Sequence, residues 1–161
     1  MRILWILRAR VSAILYKGGL SLEKRTLCLD VGERRIGVAV SDPLGLTAQG
    51  VETIFTKGEQ KDIQRVLELS GQYDTRQILV GLPRSLSGEE GPQAQRVRAF
   101  AEKLAAAGLE IRFQDERLTT VSATRVLLEA DVRRSKRKQV VDKLAACYIL
   151  QSFLDAGGWK A

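Results

Sequence analysis

The chain has 161 residues, 45% hydrophobic and 28% charged, a size and balance that suit one domain burying most of its apolar surface. It has no histidine, which excludes an imidazole general base and the commonest zinc ligand. The net charge of +7 is uneven: residues 1–25 carry +5 and the remainder +2, so overall basicity is a weak argument for nucleic-acid binding by the core.

In chain order, residues 1–25 come first. Leu4, Leu7, Val11, Ile14 and Leu15 fall at helical spacing, but Arg8 and Arg10 interrupt the apolar run and Gly18-Gly19 closes it. This segment reads as a basic N-terminal extension with little structure of its own, ahead of a domain at 26–158. No stretch approaches the roughly 20 apolar residues of a membrane helix, so a cytoplasmic protein with no membrane partner is expected. Cys28 and Cys147 lie in apolar runs without CxxC spacing and read as small core residues of a reducing compartment.

Residues 26–30 (TLCLD) predict a buried strand and 35–41 (RIGVAVS) a second, joined by a short turn as an antiparallel hairpin. Gly37 suggests a bulge or a close backbone approach. Residues 49–56 predict a third strand and 59–72 a helix, with Ile63, Val66, Leu67 and Ser70 at helical spacing. Residues 77–80 predict a short strand stopped by Gly81-Leu82-Pro83. A polar loop at 85–91 leads to a helix opened by Pro92, with Val97, Phe100, Ala101 and Leu104 as its apolar stripe. Residues 109–113 predict a fifth strand. Thr119 or Thr120 would cap a helix running to about Glu129. Arg133, Arg134, Lys136, Arg137 and Lys138 read as a basic loop, either solvated or polyanion-binding. Residues 139–155 predict the last helix. The fold class is therefore α/β: a mixed sheet of three antiparallel strands, then parallel strands, flanked by helices. It has neither GxGxxG after the first strand nor GxxxxGK[ST], which argues against dinucleotide and P-loop sites.

Three carboxylate positions are out of place for a simple core. Asp30 ends an apolar strand, Asp115-Glu116 ends another, and Asp142 borders the buried face of the last helix, about 20° from Ile149 in projection. Carboxylates are rarely buried without a partner. Converging acids point to Mg²⁺ or Mn²⁺, which prefer carboxylate oxygens and can activate water for phosphodiester cleavage. Each acid also has a plainer role: Asp30 could cap the turn at Gly32, Glu116 could pair with Arg117, and Asp142 with Lys138. Adjacent residues of an extended strand face opposite ways, so Asp115 and Glu116 are alternatives for one ligand.

Four motifs occur in order: Asp30-Val31-Gly32 with Ile36-Gly37-Val38-Ala39 and Ser41-Asp42; Val80-Gly81-Leu82-Pro83 with Gly88 and Gly91; Asp115-Glu116-Arg117-Leu118-Thr119-Thr120; and Lys138-Gln139-Val140-Val141-Asp142 with Ala145-Ala146 and Ile149-Leu150-Gln151. Together they resemble the YqgF/RuvX family of the ribonuclease-H-like superfamily, over roughly residues 26–156. The resemblance implies a ribonuclease-H-like fold and a magnesium-dependent nuclease site. Asp30, Glu116 and Asp142 are then the expected catalytic and metal residues, and Arg84, Arg117 and Lys138 candidate phosphate contacts. Gly32 would leave room for the nucleic-acid backbone. The family also implies a substrate: members are associated with maturing the 5′ end of the small-subunit ribosomal RNA precursor, and were earlier taken for Holliday junction resolvases.

The expected activity is therefore a metal-dependent endonuclease acting on precursor ribosomal RNA, as a monomer or homodimer. The alternatives are a resolvase of four-way DNA junctions, favoured by a robust symmetric dimer, and a non-catalytic nucleic-acid-binding factor. An actin-like ATPase, which also uses Asp-Xaa-Gly hairpins, needs a second domain for which this chain is too short.

Overall fold

A computed structural model of the chain describes residues 24–117 and 134–160, with side chains described outside 134–142. The elements run β1 Thr26–Val31, β2 Arg35–Ser41, β3 Ala48–Phe55, α1 Glu59–Gln72, β4 Gln77–Leu82, α2 Pro92–Ala106, β5 Glu110–Asp115 and α3 Arg134–Asp155, closed by a short 3₁₀ turn at Gly158–Lys160. The sheet order is β3-β2-β1-β4-β5. β1 pairs antiparallel with β2 and parallel with β4, and β4 pairs parallel with β5. The mixed α/β sheet expected from the sequence is the one observed.

Period-2 alternation divides the sheet into two faces. Leu27 and Leu29 of β1, Ile36, Val38 and Val40 of β2, and Ile78, Val80 and Leu82 of β4 pack with Val66 and Leu69 of α1 and Val97, Phe100 and Leu104 of α2. The other face carries Cys28, Ala39 and Leu79, covered by Ala146, Ile149, Leu150 and Phe153 of α3. β1 is thus buried on both faces, which explains its nearly continuous apolar run. Small residues on the α3 face let that helix lie close: the Cβ of Lys143 and the Sγ of Cys147 would both be 3.6 Å from a Cβ placed on Gly50.

Several element limits differ from expectation. β4 continues through Gly81 to Leu82, because ladder pairing to β5 holds the glycine extended. β5 is shifted one to two residues later than expected. The β2–β3 bulge falls between Val38 and Ala39, one residue past Gly37. α3 begins at Arg134, so much of the basic run is helical; Lys and Arg are good helix formers and propagate an existing helix at little cost. The helix expected from Thr119 or Thr120 lies outside the described residues. Arg25, placed in the extension by the sequence, already engages the domain: its carbonyl accepts a hydrogen bond from Thr75 Oγ1, and its guanidinium lies 5.7 Å from the Tyr73 ring centre.

Candidate active site

Asp30 has the same strand parity as Cys28, so its carboxyl stands on the α3 face at the C-terminal end of the central strand. The floor around it carries no side chains. Gly37 is its cross-strand partner on β2. On β4, Gly81 follows Val80, the partner of Leu29. A rigid sheet thus presents one carboxylate between two glycines.

Glu116 fills the space over Gly81. It directly follows β5, and its N–H donates to the Leu82 carbonyl at 3.3 Å. A Cβ on Gly81 would come within 2.9 Å of Glu116 Cδ and 2.8 Å of Ile149 Cδ1. The Glu116 side chain therefore crosses the bare glycine toward β1, where it shares a hydrogen bond with Asp30. Burial, then the Asp30 charge and that hydrogen bond, push the Glu116 carboxyl from its ordinary 4.5 up to about 8. Beneath the pair, burial and then the Asp30 and Glu116 charges push the Cys28 thiol well up, so it is an inert core residue.

Asp115 turns to the other face. It accepts from the Arg117 Nε at 2.8 Å and backbone N–H at 3.0 Å, and Arg84 lies 3.8 Å away. The hydrogen bond from Arg117 is the main cause holding its carboxyl below the usual range. Of the two acids, Glu116 is the one that meets Asp30, while Arg117 pairs with Asp115.

Arg84 and Arg117 sit at the strand ends in a small ion-pair network. Arg84 also reaches Glu90 at 3.1 Å, and Glu90 is gripped by Arg98 through two 2.6 Å bonds. Arg98 in turn stacks over Phe113 at 4.7 Å. Arg98, then Arg84, hold the Glu90 carboxyl near about 2. The ion pairs fix the direction of these guanidiniums, and each keeps N–H groups beyond those its acid occupies.

Gly32 has a use within the domain. A Cβ there would be 2.9 Å from the Arg35 carbonyl, which its own N–H meets at 2.8 Å, so the glycine serves the hairpin turn. The turn is closed by backbone and does not need Asp30 as a cap. Asp42 of the first motif lies at the opposite end of β2. It accepts from the N–H groups of Leu44, Leu46 and Thr47 at 3.2, 2.7 and 2.8 Å, holding a loop. Asp142 and Lys138 are in the α3 backbone, with side chains outside the described ones. The pair the structure brings together is Asp30 and Glu116; among the described residues no third acid joins them as a metal-holding cluster.

Sequence reasoning missed Gly81 and the Arg98–Glu90–Arg84 chain. Gly81 had a signal: it shares the strand parity of Leu79, which places a bare position on the face that carries Asp30. The arginine chain had none, since it joins residues brought together by the β4–α2 crossover.

The donor set fits a divalent cation. Two half-buried carboxyls that touch can both ionise only if positive charge neutralises them, and all their oxygens are hard donors. The bare backbone at Gly81 is what lets the Glu116 carboxyl come over to Asp30, so both acids can offer oxygens to one ion.

A family model described as Holliday junction resolvase, RuvX, matches residues 24–156. A protein of Moorella thermoacetica is 54% identical over 135 residues, which is 83% of this chain and 96% of its own. One of Clostridium botulinum (strain Hall) is 50% identical over 82% of this chain and 97% of its own. One of Pelotomaculum thermopropionicum is 51% identical over 83% and 88%. Each carries the name "Putative pre-16S rRNA nuclease". Among solved structures, T. thermophilus RuvC in complex with a Holliday junction substrate superposes with a TM-score of 0.53 at 16% identity, over 84% of this chain and 96% of that one. That likeness is one of fold.

Proposed function

Since the chain belongs to the RuvX family, we propose that it is a metal-dependent endonuclease maturing the 5′ end of the small-subunit (16S) ribosomal RNA precursor. The observation that carries this reading is the meeting of the Asp30 and Glu116 carboxyls over the bare Gly81. The names of relatives at 50% identity or more supply the substrate.

Asp30, on the rigid central strand, would fix the position of Mg²⁺ or Mn²⁺, with Glu116 as second ligand and Asp142 of α3 as third. Once bound, the ion would supply the charge that stabilises phosphodiester hydrolysis and lowers the pKa of water. The chain's own groups do the rest. Glu116 would hold the ion in its ionised form, so binding would require the proton it keeps beside Asp30 to leave. Arg84 and Arg117, aimed by Glu90 and Asp115, would hold flanking phosphates, and Lys138 would add a further contact. Asp115 holds the Arg117 guanidinium on its own side, directed away from Glu116. Among the described residues no helix is long and apolar enough to cross a membrane, which is compatible with a cytoplasmic enzyme working on ribosomal precursors.

The description of the matching family model favours a second reading, resolution of four-way DNA junctions. Such an enzyme would be a stable symmetric dimer, whereas the RNA enzyme can act as a monomer.

The test is cleavage of a labelled 16S precursor fragment with Mg²⁺, with Mn²⁺ and with chelator, wild type beside Asp30→Asn. Metal-dependent cutting near the mature 5′ end, reduced at least ~100-fold in the variant, is expected, since a ligand should matter more than the groups that orient it. An Asp30→Asn protein cutting at the wild-type rate would remove Asp30 from the site. Cutting of four-way junctions and not of RNA would replace the substrate.

A further inference from the structure

The loop between β4 and α2, residues 83–91, holds Leu86 at its tip with 92% of the residue exposed. Isolated surface leucines are ordinary. This one differs in how it is held and where it stands. The Ser85 N–H donates to the Glu89 carbonyl at 2.9 Å, and the Gly88 N–H to the Ser85 carbonyl at 2.8 Å. Ser85 Oγ accepts from the Glu89 N–H at 3.0 Å and lies 2.7 Å from Ser87 Oγ. Gly88 takes φ +89°, a value that favours glycine and permits the tight reversal. The loop is therefore internally bonded, and its tip points an aliphatic side chain into water.

The same loop is fastened to the candidate site. Arg84 at its start reaches Asp115, and Arg117 Nη1 lies 3.6 Å from the Cβ position of Gly88. Glu90 at its end is clamped by Arg98. Leu86 is five residues beyond Gly81, so chain length alone keeps it within about 17 Å of the Asp30–Glu116 floor. At roughly 3.4 Å per stacked nucleotide, that is a reach of a few nucleotides. An apolar tip beside two fixed arginines suits a polyanion with apolar faces. A strand of unpaired nucleotides has that chemistry: phosphates for the guanidiniums and a base face for the leucine.

We propose that Leu86 packs on an unstacked base of single-stranded RNA within a few nucleotides of the scissile phosphate, and so sets which bond reaches Asp30 and Glu116. This rests on the nuclease reading above. With 92% of Leu86 exposed, its substitution should leave folding unchanged. Leu46, also exposed but in the β2–β3 turn, serves as control.

The experiment uses the full chain and a single-stranded 16S precursor fragment carrying 2-aminopurine at successive positions around the cut. Binding is read by fluorescence in chelator, and cleavage with Mg²⁺ or Mn²⁺. For wild type one probe position should change on binding. Leu86→Ser should lose that change, raise KM about tenfold with kcat nearly unmoved, and scatter the cut positions; Leu86→Trp should restore or strengthen all three. Leu46→Ser should behave as wild type. If Leu86→Ser matches wild type in fluorescence, KM and cut position, the proposal is wrong and the tip is left for a protein partner. If wild type binds RNA but cuts under neither metal, the nuclease reading falls, and the fluorescence arm alone decides Leu86. Wild type that neither binds nor cuts RNA overturns both.

Discussion

At Glu116 a single side chain reports the state of the whole site. It retains its proton to about pH 8 because it is buried against Asp30, and two adjacent carboxylates resist joint ionisation. The geometry depends on an absent side chain. In Gly81→Ala the new methyl would press on Glu116 and on Ile149 Cδ1, 2.8 Å away. Of the two, the glutamate is the freer to move, since Ile149 is packed in the α3 core. Glu116 should swing off Asp30 and recover an ordinary carboxyl pKa. The expected result is a folded protein destabilised by about 1–3 kcal/mol from overpacking. Its cleavage should fall at least ~10-fold, the range seen when groups that orient metal ligands are lost. Measuring kcat/KM together with the denaturation midpoint checks both; full activity in Gly81→Ala would mean that Glu116 need not cross that floor.

Among the elements, α3 has two duties. Its C-terminal half closes the core through Ala146, Ile149, Leu150 and Phe153, and Ile149 also leans on the glycine floor. Ile149→Ala should therefore cost about 2–5 kcal/mol of stability, read as a lower denaturant midpoint at unchanged slope. A loss below about 1 kcal/mol would indicate that the helix does not pack there as described. The same helix shows what a sequence can and cannot disclose. Its apolar stripe was legible from spacing, as were the α1 and α2 stripes and the β1–β2 hairpin. Its start was not, because Lys and Arg are helix formers whose charge reads equally well as loop. β4 was cut short at Gly81 for a related reason: glycine is a breaker by propensity, and only pairing with β5 holds it in the strand. In the site, Asp30 was legible because a carboxylate in an apolar strand contradicts burial. Glu116 was narrowed to one of two residues by alternation, and the register of β5 made the choice. Asp142 is picked out by helical projection and the family motif, and its side chain lies outside the described ones.

On the scale of the molecule, the charge at the site should set how stability follows pH. The unfolded chain ionises Glu116 near 4.5, while the folded, metal-free protein keeps that proton until about 8. Between those values the folded state binds more protons than the unfolded one, so the contribution of this group to stability falls as pH rises. Below about 4.5 both states are protonated and the contribution is complete; above about 8 both are ionised and the cost is complete. In chelator, wild type should thus lose melting temperature from pH 5 to pH 8 relative to Glu116→Gln, whose amide does not ionise. At pH 8 the variant should melt higher, by several degrees for a chain of this size, while being inactive, a trade expected where function needs charges that folding resists. Adding Mg²⁺ or Mn²⁺ at pH 8 should reverse the order, because an ion that binds the folded state stabilises it by mass action and the glutamine is a poorer ligand. The same linkage predicts that metal binding at pH 7 releases close to one proton, seen as a binding heat that changes with the ionisation enthalpy of the buffer. If wild type and Glu116→Gln instead melt in parallel across pH 5–8, and metal binding is buffer-independent, then Glu116 is already ionised and the two carboxyls do not share a proton.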